Sequence, residues 1–163
     1  MNLKLILFIL GLPCFAFSQS IDKAIEKHNS NTVEYISVEE LVQLKNSDHN
    51  IKLLDTRQPT EYGISHLQNA IFAGYEDFNL KSIQDKINTQ DTIIVYCSIG
   101  VRSEDIGELL QKAGYKNVFN LYGGIFDWVN KGHQVYHQQE ITKKVHAYDR
   151  FWSKYLKAGK KVY

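Results

Sequence analysis

One stretch of this chain places a thiol, a flexible residue and a cation within reach of one another: Cys97-Ser98-Ile99-Gly100-Val101-Arg102-Ser103. It follows the apolar, β-branched run Thr92-Ile93-Ile94-Val95-Tyr96, the pattern of a strand covered on both faces. After it Ile106, Leu109, Leu110 and Ala113 recur at helical spacing, and Gly114 stops them. A cysteine at such a strand-loop-helix junction faces backbone N–H groups that have no intrahelical partner. Those donors, together with Arg102, favour the thiolate and lower a thiol pKa from its ordinary value of about 8.5. Gly100 adopts backbone conformations closed to other residues, so successive N–H groups can turn inward as an anion nest. The loop reads as a cup for sulfur or oxyanions. The competing reading of Cys97 is a small apolar core residue without chemistry.

Several elements must hold this loop in place. Tyr35-Ile36 reads as a short strand, and Ser37 followed by Glu40 forms a capping box. That box predicts a helix with Val38, Leu41, Val42 and the stem of Lys45 on one face. Ile51 to Leu54 is a strand candidate ending in Asp55-Thr56-Arg57, after which Pro59 blocks any continuation. Ala70 to Ala73 reads as another short strand, Leu80, Ile83 and Ile87 as one helix face, and Val118 to Leu121 as a strand. Gly123-Gly124 then leads into a short helix through Phe126, Trp128 and Val129 that breaks at Gly132. Strands alternating with helices predict an α/β fold, a mainly parallel sheet flanked by helices on both faces. Ligands of such sheets sit beyond the carboxyl ends of strands, where Cys97 lies. A length of 163 residues suits one domain.

Taken together, the Cys97 to Ser103 loop resembles the active-site loop of the rhodanese (sulfurtransferase) family. Asp55-Thr56-Arg57 is similar to that family's Asp-x-Arg motif, and Glu61-Tyr62, His66-Leu67 and Ala70 to its Glu-aromatic, Gly-His-Ile and Gly-Ala stretch. Leu121 to Trp128 is similar to its Gly-Gly-aromatic-Trp closing turn. The likeness runs from Val33 to His133, one single rhodanese-like domain over residues 33–133. It implies a thiosulfate-type sulfurtransferase with no metal and no organic cofactor. Cys97 would attack a sulfane sulfur from thiosulfate or a related small donor, become a persulfide, and pass that sulfur to a thiol or cyanide acceptor. Ser98, Ile99, Gly100, Val101, Arg102 and Ser103 would cradle the substrate, with Arg102 on the donor's oxyanion. Asp55 and Arg57 would be charges supporting the loop, or a structural ion pair. The chain departs from the family at Ser65-His66-Leu67-Gln68-Asn69-Ala70, where Asn69 still supplies a left-handed turn residue. It departs again at the apolar Ile99 and Val101, which point to weak anion affinity or another donor. Glu104 and Asp105 suit the helix dipole but add negative charge near the site.

Other readings fit less well. A cysteine phosphatase loop resembles Cys-x5-Arg with a preceding histidine, whereas Tyr96 precedes Cys97 and Arg102 falls one position early. Gly100 occupies the second-cysteine position of a thioredoxin-type Cys-x-x-Cys. A noncatalytic rhodanese-fold binding or sulfur-carrier module is the alternative from another class. His28, His49, His66, His133, His137 and His146 show no metal-ligand spacing. A formal charge of +1 gives no global electrostatic reason to expect nucleic acid or an anionic membrane as partner.

The termini carry their own expectations. Lys4, the apolar run Leu5 to Leu12 and Ala16-Phe17-Ser18 read as a secretory signal over residues 1–18, with export to the periplasm or cell exterior. Cys14 would be lost with it; a lipid anchor there would follow Leu12-Pro13 instead of the small residue such signals resemble. The apolar run is shorter than the roughly 20 residues of a spanning helix, so no stable membrane insertion is expected after processing. Residues 19–32 read as a polar lead-in without strong periodicity. Residues 134–163 carry seven Lys or Arg against Glu140 and Asp149. There Val145, Tyr148, Trp152, Tyr155 and Leu156 predict a basic amphipathic helix beginning after Thr142, either packed on its own domain or offered to a protein partner or an anionic surface.

Overall fold

The apolar run that precedes Cys97 becomes the central strand of a five-stranded sheet. The computed structural model describes residues 15–47 and 50–163. In it β1 (Glu34–Ile36), β2 (Ile51–Asp55), β3 (Ile71–Phe72), β4 (Thr92–Tyr96) and β5 (Val118–Leu121) lie in the order β1-β5-β4-β2-β3. Every pairing is parallel. Successive residues of β4 point to opposite faces. Ile94 and Tyr96 join one core with Leu41, Leu121 and Phe126, while Ile93 and Val95 join the other with Leu54, Ile106 and Leu110. The sheet is thus covered on both sides, as a parallel sheet requires.

Helices α1 (Phe15–His28), α2 (Val38–Asn46) and α5 (Gly124–Asn130) bury residues in the first core, and α4 (Arg102–Lys112) in the second. Helix α2 starts where its capping box places it: Ser37 Oγ accepts from Glu40 N at 3.2 Å, and Glu40 Oε2 accepts from Ser37 N at 2.8 Å. Helix α3 (Pro59–Ile64) begins on Pro59 directly after β2. This is the α/β, mainly parallel architecture that the alternating pattern predicts.

Three expectations need correction. The lead-in is helical: Ile21, Ala24 and Ile25 are buried on one face of α1, a stripe too short to stand out among Asp22, Lys23, Glu26 and Lys27. The Leu80 to Ile87 stretch is a 3₁₀ turn at Leu80–Ser82 followed by further turns, although Ile83 and Ile87 are buried as their spacing predicts. The long C-terminal helix does not form. Instead β6 (Val135–His137) pairs antiparallel with β7 (Glu140–Thr142), and β8 (Lys144–His146) pairs parallel with β9 (Lys160–Val162). A 3₁₀ turn at Trp152–Tyr155 lies between β8 and β9. Tyr148 has φ 66° and Gly159 φ 82°, conformations that no right-handed helix contains. Val145, Tyr155 and Leu156 are nevertheless buried in the first core.

The proposed signal lies mostly outside the described residues, as does Cys14; residues 15–18 form the start of α1. Among the described residues, no helix is long and apolar enough to cross a membrane.

Candidate active site

Cys97 leaves β4 at its carboxyl end and is 2% exposed, a free thiol. The loop that follows is shaped by what holds its carbonyl groups. In the first turn of α5, Ile125 N donates to the Cys97 carbonyl at 3.0 Å and Phe126 N to the Ser98 carbonyl at 3.1 Å. The Gly100 carbonyl accepts from Asn120 Nδ2 and from Asn29 Nδ2, both at 2.8 Å. With these carbonyls drawn outward, the Gly100 N–H is free to donate to Cys97 Sγ at 3.2 Å. Gly100 has φ 105°, open to glycine and costly for other residues.

The approach of α5 demands a glycine as well. A Cβ on Gly124, at φ 54°, would stand 2.4 Å from the Cys97 carbonyl oxygen. Gly124 is therefore what lets the helix amides reach the loop.

Burial pushes the Cys97 thiol up, but the Arg102 charge and hydrogen bonds from the Ser103 hydroxyl, the Ser103 N–H and the Gly100 N–H pull harder. The net pKa lies below the ordinary thiol value. The Ser103 hydroxyl also sits 2.7 Å from Asn120 Oδ1, so one buried amide braces both Ser103 and Gly100.

Arg102 is the first residue of α4, and its fork is occupied. Nη1 donates to Glu61 Oε2 at 2.8 Å and Nη2 to Glu61 Oε1 at 2.9 Å, while Nη2 also meets Ser98 Oγ at 3.0 Å. Ser98 Oγ in turn donates to Glu61 Oε1 at 3.1 Å. Burial pushes the Glu61 carboxyl up, yet hydrogen bonds and charge from Arg102 and the charge of Arg57 hold it below its usual range.

Asp55 and Arg57 are fully buried and pair with each other: Arg57 Nε reaches Asp55 Oδ1 at 2.9 Å and Nη2 reaches Oδ2 at 2.6 Å. Arg57 Nη2 also donates to the Ser65 carbonyl at 2.5 Å. The pair bridges the two ends of α3 and so fixes the helix that carries Glu61.

A cavity of ≈ 180 Å³ opens over the sulfur, lined by Cys97, Ser98, Ile99, Val101, Arg102, Tyr148 and Trp152. Five of these belong to the loop as the sequence predicts. Gly100 and Ser103 hold it from behind. Glu104 and Asp105 point elsewhere: Glu104 Oε1 accepts from Thr32 N at 2.9 Å and Asp105 Oδ2 from Tyr75 OH at 2.6 Å. His66 is also outside the cavity lining, stacked on Tyr62 with ring centres 4.4 Å apart. Asn69 has φ 63°, the left-handed turn expected of it.

Sequence reasoning missed Tyr148 and Trp152, which arrive from the C-terminal segment; the Arg102 guanidinium lies 4.7 Å from the Tyr148 ring centre. It also missed Asn29 and Asn120 as braces, because isolated asparagines carry no local signal. Glu61 had a signal in its place three residues after Gln58, and its own carboxylate accepts the Gln58 N–H at 3.0 Å. Among the described residues, no group of three or more His, Cys, Asp or Glu is arranged to hold a metal ion.

Comparison with known proteins bears on this arrangement. Residues 37–131, more than half of the chain, match the family model described as a rhodanese-like domain. The chain is 29% identical over 103 residues to a protein of Bacillus subtilis described as a sulfur carrier, YrkF, with 63% of this chain and 55% of that protein covered. It is 31% identical over 105 residues to a tRNA uridine(34) hydroxylase of Legionella pneumophila, covering 61% of this chain and 40% of that one. It is 30% identical over 96 residues to an adenylyltransferase/sulfurtransferase, MoeZ, of Mycobacterium tuberculosis, covering 59% and 24%. The chain thus spans about half or less of the length of these relatives. Among solved structures, a rhodanese-related protein from Thermoplasma volcanium superposes with a TM-score of 0.55 at 24% identity, covering 64% of this chain and 98% of that one.

Proposed function

The chain belongs to the rhodanese-like domain family, and from that premise we propose that it moves a sulfane sulfur, from thiosulfate or a related donor, to a thiophilic acceptor through a persulfide on Cys97. The observation that carries this reading is a buried thiol at the floor of a cavity whose pKa is held below the ordinary value. The thiolate is the reactive form of a cysteine. Its lone pair makes the new S–S bond while the pair of the broken bond leaves with the donor fragment, so no net oxidant is required. An acceptor thiolate then attacks the outer sulfur and Cys97 departs as thiolate. The Gly100 N–H and the Arg102 charge stabilise the Cys97 sulfur anion and so serve its departure in this second step.

Intact mass under non-reducing conditions tests the proposal. Incubation with a sulfane donor should add one sulfur atom that reductant removes, and Cys97→Ser should take up none. Absence of any adduct from every donor tried would leave the binding module as the better reading.

A sulfur-carrier role is the second reading, favoured by the bidentate hold of Glu61 on Arg102, which keeps the guanidinium from a donor anion. A carrier loads once and releases only to a protein acceptor, so stoichiometric loading without thiocyanate turnover would distinguish it. Export stays part of the proposal, and N-terminal sequencing of the secreted protein should begin near Gln19.

A further inference from the structure

The cavity over Cys97 is built for an apolar guest. Two of its walls, Ile99 and Val101, come from the loop, and two, Tyr148 and Trp152, from the C-terminal segment. Arg102 is its sole cationic lining residue, and both terminal nitrogens of that side chain are held by Glu61. The Tyr148 ring lies over the guanidinium, its centre 4.7 Å away.

His146 lies next to this cluster, since Tyr148 N donates to its Nδ1 at 3.1 Å. Burial pushes its pKa down, so it adds no positive charge near neutrality. The cup's donors to sulfur, the Gly100 N–H and the Ser103 N–H and hydroxyl, already serve Cys97 Sγ.

A thiolate, a carboxylate and one guanidinium leave no uncompensated positive charge for a donor that is itself a dianion. Bringing thiosulfate against the thiolate here would strip its hydration without an opposing charge to replace it. An aromatic or branched apolar tail meets the reverse situation. Apolar cavities of about 150 Å³ take up a benzene ring, and this one offers ≈ 180 Å³.

We propose that the site draws its sulfur from small hydropersulfides, R–S–SH, with an uncharged apolar tail, and that Tyr148 and Trp152 select them over the thiosulfate dianion. This rests on the persulfide reading above and narrows its donor. In the step, the Cys97 thiolate pair forms a bond to the outer sulfur. The R–S to SH bond breaks, its pair leaves with R–S⁻, and Cys97 is left as Cys97–S–SH. Atoms and charge balance, and no oxidant enters. Tyr148 and Trp152 seat the tail against Ile99 and Val101, which leaves the outer sulfur over Sγ.

The test compares two hydropersulfides that differ only in their tails, with thiosulfate as the dianionic reference. The full-length protein is treated with benzyl hydropersulfide, with 2-sulfonatoethyl hydropersulfide and with thiosulfate, and the rate of sulfur uptake at Cys97 is followed by mass. Benzyl hydropersulfide should load faster than either anionic donor by about tenfold or more, the effect of burying an apolar group of this size. The double variant Tyr148→Ala, Trp152→Ala should reduce that preference severalfold, and Trp152→Phe should retain most of it. Equal or faster loading by either anionic donor would overturn the inference while leaving sulfur transfer intact. An unchanged preference in the double variant would overturn the role given to the C-terminal aromatics. Failure of all three donors would sink the persulfide reading, and this one with it.

Discussion

Glu61 decides how much of the Arg102 charge the sulfur feels, because the carboxylate holds both terminal nitrogens of the guanidinium. Replacing it with glutamine keeps a hydrogen-bond acceptor and removes the negative charge. Glu61→Gln should therefore move the midpoint of Cys97 alkylation to lower pH, whereas Arg102→Ala should move it to higher pH. A pH series of iodoacetamide rates reads both signs, and a midpoint that rises in Glu61→Gln would show that the ion pair does not tune the thiol. The same substitution should cost about 2 kcal/mol, since it leaves a largely buried cation incompletely paired. Acid stability offers a further check. The Glu61 carboxyl is held below its usual range in the folded protein, so its contribution is present above the unfolded value of about 4.3 and fades as pH falls through the folded pKa. Urea midpoints should accordingly fall less steeply with acid in Glu61→Gln than in the parent. At this scale the sequence was most informative about Cys97, Gly100 and Arg102, which lie within six positions of one another and meet around one sulfur in the structure. It was silent on the partner of Arg102, because an ion pair across 41 positions leaves no local pattern.

The loop's shape belongs to the elements around it, and α5 contributes through the amides of Ile125 and Phe126. Gly124→Ala would set a Cβ against the Cys97 carbonyl in a backbone conformation that alanine resists. The expected cost is about 3 kcal/mol, read as a shift in the urea midpoint and accompanied by an alkylation midpoint closer to that of a free thiol. An unshifted alkylation midpoint would mean that α5 supports the fold and not the thiolate. Elements whose signals are short-range were legible beforehand. The β-branched run of β4, the Ser37 capping box of α2 and the left-handed Gly114, at φ 95°, all appear where their chemistry puts them. The C-terminal segment departs from the helix its spacing predicts for a physical reason. Its buried residues happen to recur at helical spacing, but Tyr148 and Gly159 turn the chain left-handed and β8 finds a parallel partner only sixteen positions further on, as Lys144 opposite Lys160.

For the molecule as a whole, that segment is part of the core. Val135, Val145, Ala147, Tyr155 and Leu156 are buried in it, and Asn130 Nδ2 donates to the Tyr155 carbonyl at 2.8 Å. Each large apolar side chain contributes about 2 kcal/mol, so the set is comparable with the whole stability of a small domain, about 5–15 kcal/mol. A chain ending at His133 should lose its cooperative urea transition or show it at far lower denaturant; an unchanged midpoint would make residues 134–163 an appendage. The bracing of the Gly100 carbonyl has a consequence in time as well as in space. Asn29 reaches it across 71 positions and Asn120 across 20, and contacts between distant parts of a chain must first overcome the entropy of closing long loops. On a nascent chain Cys97 is an ordinary thiol, exposed to every oxidant and slow to react. The lowered pKa depends on Arg102, Ser103 and Gly100 closing around the sulfur, so the titration of this one thiol reports whether the loop has been assembled.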